Sequence, residues 1–131
     1  MIKTLIIDGN NFETYEGFCN EVNEQLIGKS SNLEFNGNLD AFNDFLSGGF
    51  GKFEYREPIT IIWKNSEKSK LILGFPETIE YIEAKLETCH PSNKEAVQKE
   101  LENALKNKGE TLFQIIVEII SDHKHIQLKM E

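Results

Sequence analysis

The sequence predicts an α/β fold: a small three-stranded parallel sheet with helices packed on it. Three short apolar runs predict the strands, at Ile2–Ile7, Ile59–Trp63 and Ile126–Met130. Segments with helical periodicity separate these runs, and helical connections between strands favour parallel crossovers. With so few strands, the helices can all lie on one face of the sheet, which leaves the other face partly open.

Length and composition predict a single domain over residues 1–131. The apolar fraction is 39% and includes nine phenylalanines, which is enough for one core, while the length leaves no room for a second. Residues at about 75–108 read as an inserted helical pair. A hairpin packed on the side of the domain is the favoured interpretation, because loop insertions cost little free energy. The alternative is a second partner-facing or dimerising surface.

The net charge of −8 argues against a nucleic-acid or anionic-membrane surface, because phosphate contacts need clustered lysine and arginine. It permits a cationic protein partner, although many cytosolic proteins are acidic simply to stay soluble. Cys19 and Cys89 lie far apart and suggest no disulfide framework, which fits a reduced cytosol. The first ten residues read as a strand rather than a signal peptide, and no segment has the length of a membrane span. We therefore expect a cytoplasmic protein.

Helical spacing of apolar residues predicts five helices. The first ends near Gly28 and carries Cys19 on its buried stripe, and a polar loop, Lys29–Phe35, follows it. A short helix is predicted at Asn65–Leu73. The inserted pair begins after Pro76, and its second helix is expected to start with a Ser92–Glu95 capping box and to stop at Gly109. The fifth segment, Thr111–His123, is apolar on most sides and also permits a strand.

The segment Asn38–Gly48 predicts a further helix with two distinct faces. Leu39, Phe42, Phe45 and Leu46 recur at helical spacing on one side, and the other side carries Asp40, Asn43 and Asp44. Asn38 is a suitable N-cap and Gly48 a suitable stop. Asp40 and Asp44 are separated by one helical turn, so two like charges are neighbours on one surface. Such a face suits a strongly basic partner, although a solvated polar face is the simpler interpretation.

At these residues the chain resembles the barstar family, small intracellular inhibitors of a secreted guanyl-specific ribonuclease. Three blocks carry the resemblance: Ile6–Gly9, then Asn38–Gly48 with a strand ending at Trp63 and the run Glu67–Lys70, and finally Glu110–Glu131. The resemblance implies that Thr111–His123, at the start of the last block, is a helix rather than a strand. It implies a barstar-like fold and a basic protein partner, with a secreted ribonuclease as the expected target.

The resemblance also implies where the partner binds. Asp40 and Asp44 match family contact positions, as does Glu118, and Asp122 falls at a further acidic position. In the family the positions matching Glu34, Asn43 and Gly49 are aromatic, and the turn after Gly48 is shorter than here. The aromatic residues of this longer turn either supply the lost contacts or pack on the domain. The predicted partner-binding residues are Glu34, Asp40, Asn43, Asp44, Gly48, Gly49, Glu118 and Asp122.

Two other functions compete with an inhibitor. An enzyme or metal site would rest on Asp122, His123 and His125, with His90 elsewhere, since histidines two residues apart on a strand share a face. No HExxH, CxxC, glycine-rich phosphate loop or nucleophile elbow supports it, so we expect no catalytic residues, no metal and no cofactor. The second alternative keeps the fold as an interaction or immunity module for a partner that is not a ribonuclease.

Overall fold

The structure, a computed structural model, describes residues 2–28 and 34–131. In chain order its strands and helices are β1 (Lys3–Asp8), α1 (Tyr15–Val22), α2 (Leu39–Leu46), β2 (Ile59–Lys64), α3 (Ser66–Ile72), α4 (Phe75–Thr88), α5 (Lys94–Leu105), α6 (Leu112–Ser121) and β3 (Ile126–Met130). None of the helices in these described ranges is long and apolar enough to cross a bilayer.

The strands of residues 2–28 and 34–131 form one parallel sheet in the order β1-β2-β3. Ile7 pairs with Trp63, and Ile59 pairs with Ile126. The predicted α/β class, the parallel sheet and all three strand positions are therefore confirmed.

The two faces of the sheet differ in exposure. Ile7, Ile61 and Trp63 point to one face and are fully buried under the helices. On the other face Thr4 of β1 and Lys129 of β3 are exposed. The expectation that the helices lie on one face and leave the other partly open is thus confirmed.

Aromatic rings join the helices to the sheet. Phe18 of α1 stacks on Trp63 of β2 with ring centroids 5.6 Å apart, and Phe113 of α6 meets Trp63 edge-on at 5.2 Å. The Trp63 indole N–H donates to Ser69 Oγ of α3 at 2.9 Å, so its polar atom is satisfied in the core. The three helices are consequently fixed against the central strand.

The first helix continues as a π-helical turn, Asn23–Ile27, and ends at Gly28 as predicted. Cys19 is buried, and burial raises the pKa of its thiol to about 12. Most of the predicted loop Lys29–Phe35 lies outside the described residues. Of its described residues, Glu34 is exposed, whereas Phe35 is buried against α2 with its ring 5.3 Å from that of Phe42.

The predicted helical pair is present as α4 and α5, which share a small apolar cluster of their own, centred on Ile82, Val97 and Ala104. The predicted capping box is wrong. Ser92 lies in a tight 3₁₀ turn that begins at Pro91, and its backbone N–H donates to His90 Nδ1 at 3.1 Å. Helix α5 therefore begins only at Lys94, without a side-chain cap.

The ends of α5 and α6 also differ from the prediction. Helix α5 ends at Leu105, because Asn107 already adopts a left-handed backbone conformation with φ of 59° ahead of Gly109. Helix α6 begins after Thr111, which forms a capping box with Gln114. It ends at Ser121, so His123 lies beyond the helix and is free to face α2.

Candidate protein-binding surface

Helix α2 has the two faces that the sequence predicts. Asn38 Oδ1 accepts from the backbone N–H groups of Asp40 and Ala41 at 2.8 and 3.2 Å, which satisfies two free donors at the helix start. Phe42 is fully buried, whereas Asp40 and Asp44 are exposed. Among the described residues neither aspartate forms an ion pair. The helix therefore presents two exposed carboxylates on a rigid support.

The turn after α2 needs two glycines in left-handed conformations. Gly48 has φ of 93° and Gly49 has φ of 87°. Gly48 is buried, and a Cβ atom there would overlap the carbonyl oxygen of Glu54, whereas Gly49 is exposed. Of the two predicted contact positions, only Gly49 offers surface to a partner, and Gly48 shapes the turn.

The aromatic residues of this longer turn divide between core and surface. Phe53 is buried, and Phe50 packs edge-on against Phe45 of α2 with centroids 5.1 Å apart. Tyr55 is 58% exposed, and the Arg56 guanidinium lies 5.2 Å from its ring centroid. Tyr55 is consequently the most exposed aromatic side chain of the turn, and Phe50 is partly buried.

Helix α6 contributes a second group of carboxylates. Glu118 and Asp122 are exposed on its outer edge. Protonated Glu118 can donate a hydrogen bond to the Glu110 carboxylate, which raises the pKa of Glu118, and the charges of Glu110 and Asp122 raise that pKa further. Sequence reasoning missed Glu110 as a site residue, because it precedes the helix and meets Glu118 only once the preceding loop is in place.

Two histidines connect the end of α6 to the acidic helix. His125 Nε2 donates to the Leu46 carbonyl oxygen at 2.8 Å, which satisfies a free acceptor in the last turn of α2. The two ring nitrogens of His123 lie 2.9 Å from the Ile119 carbonyl oxygen and 3.1 Å from that of Asn43. These residues, weighed above as metal ligands, therefore bind backbone carbonyls and hold α2 beside α6.

The structure places three of the predicted residues on one exposed helix face. Asp40, Asn43 and Asp44 share the exposed face of α2, and Asp122 directly precedes His123, which contacts the Asn43 carbonyl oxygen. Glu34 is exposed next to Phe35, which packs under α2. Within residues 2–28 and 34–131 no group of three or more histidine, cysteine, aspartate or glutamate side chains is placed to hold a metal ion.

A small pH-dependent contribution to stability is expected from Glu118. Because its pKa is raised above the ordinary value of 4.5, the folded state binds that proton more tightly than the unfolded chain. This stabilisation is fully present below the ordinary value and is lost as pH rises through the folded pKa. Glu118→Gln keeps the contact with Glu110 without the charge, so it should raise the melting temperature at neutral pH.

Melting curves of the two proteins should converge near about pH 4, where the native carboxyl is itself protonated. Glu95→Gln, an exposed change on α5, is the matched control. A gain at neutral pH no larger than that of the control would contradict the assignment of the carboxyl pair.

The fold and this surface define a small α/β protein that exposes carboxylates on two adjoining helices, an arrangement suited to a basic protein partner. Residues 2–127 match the family model described as Barstar (barnase inhibitor). Since the match covers nearly the whole chain, this protein belongs to the barstar family, a family of inhibitors that act by binding a protein. Comparison with curated proteins finds no match.

Proposed function

We propose that this protein binds and blocks a basic extracellular ribonuclease through the exposed carboxylates of α2 and α6. Membership of an inhibitor family carries the proposal, together with the charges of Asp40 and Asp44, which form no ion pair with other described residues and lie on a capped helix. Inhibition by occupation needs neither catalytic residues nor a cofactor of its own. We further propose that the protein acts in the cytoplasm, where it would neutralise ribonuclease before export.

The proposed mechanism is mimicry of phosphate. A ribonuclease active site grips phosphate with arginine, lysine and histidine, and carboxylates can occupy the same positions through charge-assisted, often bidentate hydrogen bonds. In this mechanism Asp44 would be the central contact, supported by Asp40 one turn before it and by Glu118 on α6. Because the Asn38 cap and the His125 contact fix α2 in advance, little conformational entropy is lost on binding.

A second candidate is an immunity module for a different partner. Glu34, Asn43 and Gly49 replace residues that are aromatic in the family pattern, and all three are exposed. The loss of stacking surface favours a partner other than a guanyl-specific ribonuclease. The acidic surface itself is common to both candidates.

A panel of purified secreted bacterial ribonucleases, assayed with and without this protein, tests the proposal. Loss of activity in one-to-one stoichiometry with at least one basic member is the expected result. If every member stays fully active but a different basic secreted protein forms a stoichiometric complex, the second candidate is correct and the ribonuclease proposal is wrong.

Association with the partner should slow as salt rises from low to physiological ionic strength. Attraction between an acidic and a basic surface speeds encounter, and salt screens it over about 10 Å at 0.1 M. Barnase and its inhibitor are themselves a standard example of such steering, so the expectation follows that precedent. Stopped-flow association rates measure it. An association rate that does not depend on salt would indicate that the principal contact is the turn around Tyr55 instead.

A further inference from the structure

A groove of about 1390 Å³ separates the acidic helix from the hairpin formed by α4 and α5. Asp40 and Asn43 of α2 form part of one wall, and Ile115 and Ile119 of α6 line it as well. Tyr81 of α4 and Ala104 of α5 belong to the hairpin side. The groove is therefore continuous with the surface proposed above for the partner.

Apolar side chains line the interior of this groove without being fully covered. Tyr81, Ile115 and Ile119 are each half-buried. Burial raises the pKa of Tyr81, and the charges of Asp40 and Glu100 raise it further. Asp40 of α2 and Glu100 of α5 line the same groove as Tyr81, so its lining combines apolar and acidic groups.

The charge of the groove is strongly negative. Six carboxylate residues line it: Glu16, Asp40, Glu77, Glu80, Glu100 and Glu110. The lining lysines are Lys85 and Lys108, and Lys85 is already paired with Glu100 at 3.3 Å. A second copy of this acidic chain is a poor occupant, because like charges repel, whereas a cationic segment is complementary.

We propose that the groove between α2 and the α4–α5 hairpin receives a basic, partly apolar segment of the partner protein. Lysine and arginine stems of that segment would cover Tyr81, Ile115 and Ile119 while their charged ends reach Asp40 and Glu80. The hairpin is then the second wall of the binding site. The identity of the partner rests on the proposed function, but the chemistry of the occupant does not.

The occupant can be tested with a defined probe, an amidated peptide of repeating Lys-Leu-Arg triplets, added to the full chain. Amide NMR should show shifts centred on Tyr81, Ile115 and Ile119. A peptide of Gly-Leu-Gly triplets should cause no shifts there. Equal binding of this neutral peptide would overturn the proposal in favour of an apolar occupant, as would shifts from the basic peptide that avoid the groove.

Charge-matched variants separate groove binding from general attraction. Glu16→Gln with Glu80→Gln removes two groove carboxylates, and Glu83→Gln with Glu87→Gln removes two exposed ones that do not line it. The double variant in the groove, Glu16→Gln with Glu80→Gln, should weaken peptide binding about five-fold, because each exposed ion pair contributes little. The control double variant, Glu83→Gln with Glu87→Gln, should weaken it less than about two-fold. Equal losses would overturn the proposal.

The same double variants distinguish this proposal from the proposed function. A ribonuclease that the protein inhibits should bind the double variant in the groove more weakly than the control double variant. If both double variants inhibit the ribonuclease as well as the unchanged protein does, while Asp44→Ala inhibits it less, the proposed function is correct and the groove proposal is wrong. If no ribonuclease is inhibited but the basic peptide occupies the groove, the function is wrong and the groove proposal stands.

Discussion

Replacing Asp44 by alanine is expected to weaken binding to the partner by about 2 kcal/mol or more, a loss of about thirty-fold in affinity. Asp44 is exposed in the middle of α2, and among the described residues it forms no ion pair. The positive end of the helix dipole favours Asp40 more, because that effect falls off within the first turn. The Asp44 charge therefore gains most from a cationic partner.

The free protein should tolerate the same change. Asp40 and Asp44 form a like-charge pair one turn apart, and alanine is a better helix former than aspartate. The melting temperature of Asp44→Ala should thus be unchanged or slightly higher. Glu67→Ala, which removes an exposed carboxylate from α3, is the matched control and should leave binding intact. Full binding by Asp44→Ala, or a clear loss of thermal stability, would mean that this face is structural.

The elements that local patterns define were predictable from the sequence. The strands are short apolar runs, and α2 combines helical spacing of Leu39, Phe42 and Leu46 with a cap at Asn38, so its inner and outer faces follow from periodicity alone. The parallel sheet follows from the helical connections between the strands.

Features that depend on contacts between distant segments were not predictable. His123 and His125 bind backbone carbonyls of α2, and no side-chain pattern reveals a backbone partner about eighty residues away. Glu110 joins the candidate site only because its loop returns to α6. The start of α5 was misplaced because Ser92 satisfies the usual capping pattern, yet the turn at Pro91 had already engaged its N–H.

The same limit applies to the glycines of the candidate site. Gly48 and Gly49 are adjacent and identical in type, so the sequence assigns both to the partner-binding surface. Burial distinguishes them, since Gly48 lies under the turn and Gly49 faces solvent. Their contributions to stability and to binding should therefore differ, although neither has a side chain.

Gly48→Ala is expected to destabilise the protein by about 3 kcal/mol or more. An alanine with φ near 93° is strained, because the left-handed conformation is unfavourable for a residue with a Cβ atom. That Cβ would also overlap the Glu54 carbonyl oxygen and lie 3.0 Å from the Phe53 ring. The Glu54 carbonyl belongs to the backbone of a turn that is closed by the hydrogen bond from Gly49 N–H to the Phe53 carbonyl oxygen at 2.9 Å, so a shift of Glu54 would disturb that bond. Urea unfolding, followed by fluorescence of the buried Trp63, measures the change.

Gly49→Ala is the matched control for this prediction. It shares the positive φ, but the nearest atom that its Cβ would meet is Tyr55 Cβ at 3.8 Å, an ordinary contact. Its cost should be about 1 kcal/mol, from conformation alone. The difference between the two variants isolates the overlap with Glu54. Equal destabilisation would show that the turn relaxes around Gly48. Variants that also bind the partner equally well would remove this turn from the site and leave α2 and α6 as the contact surface.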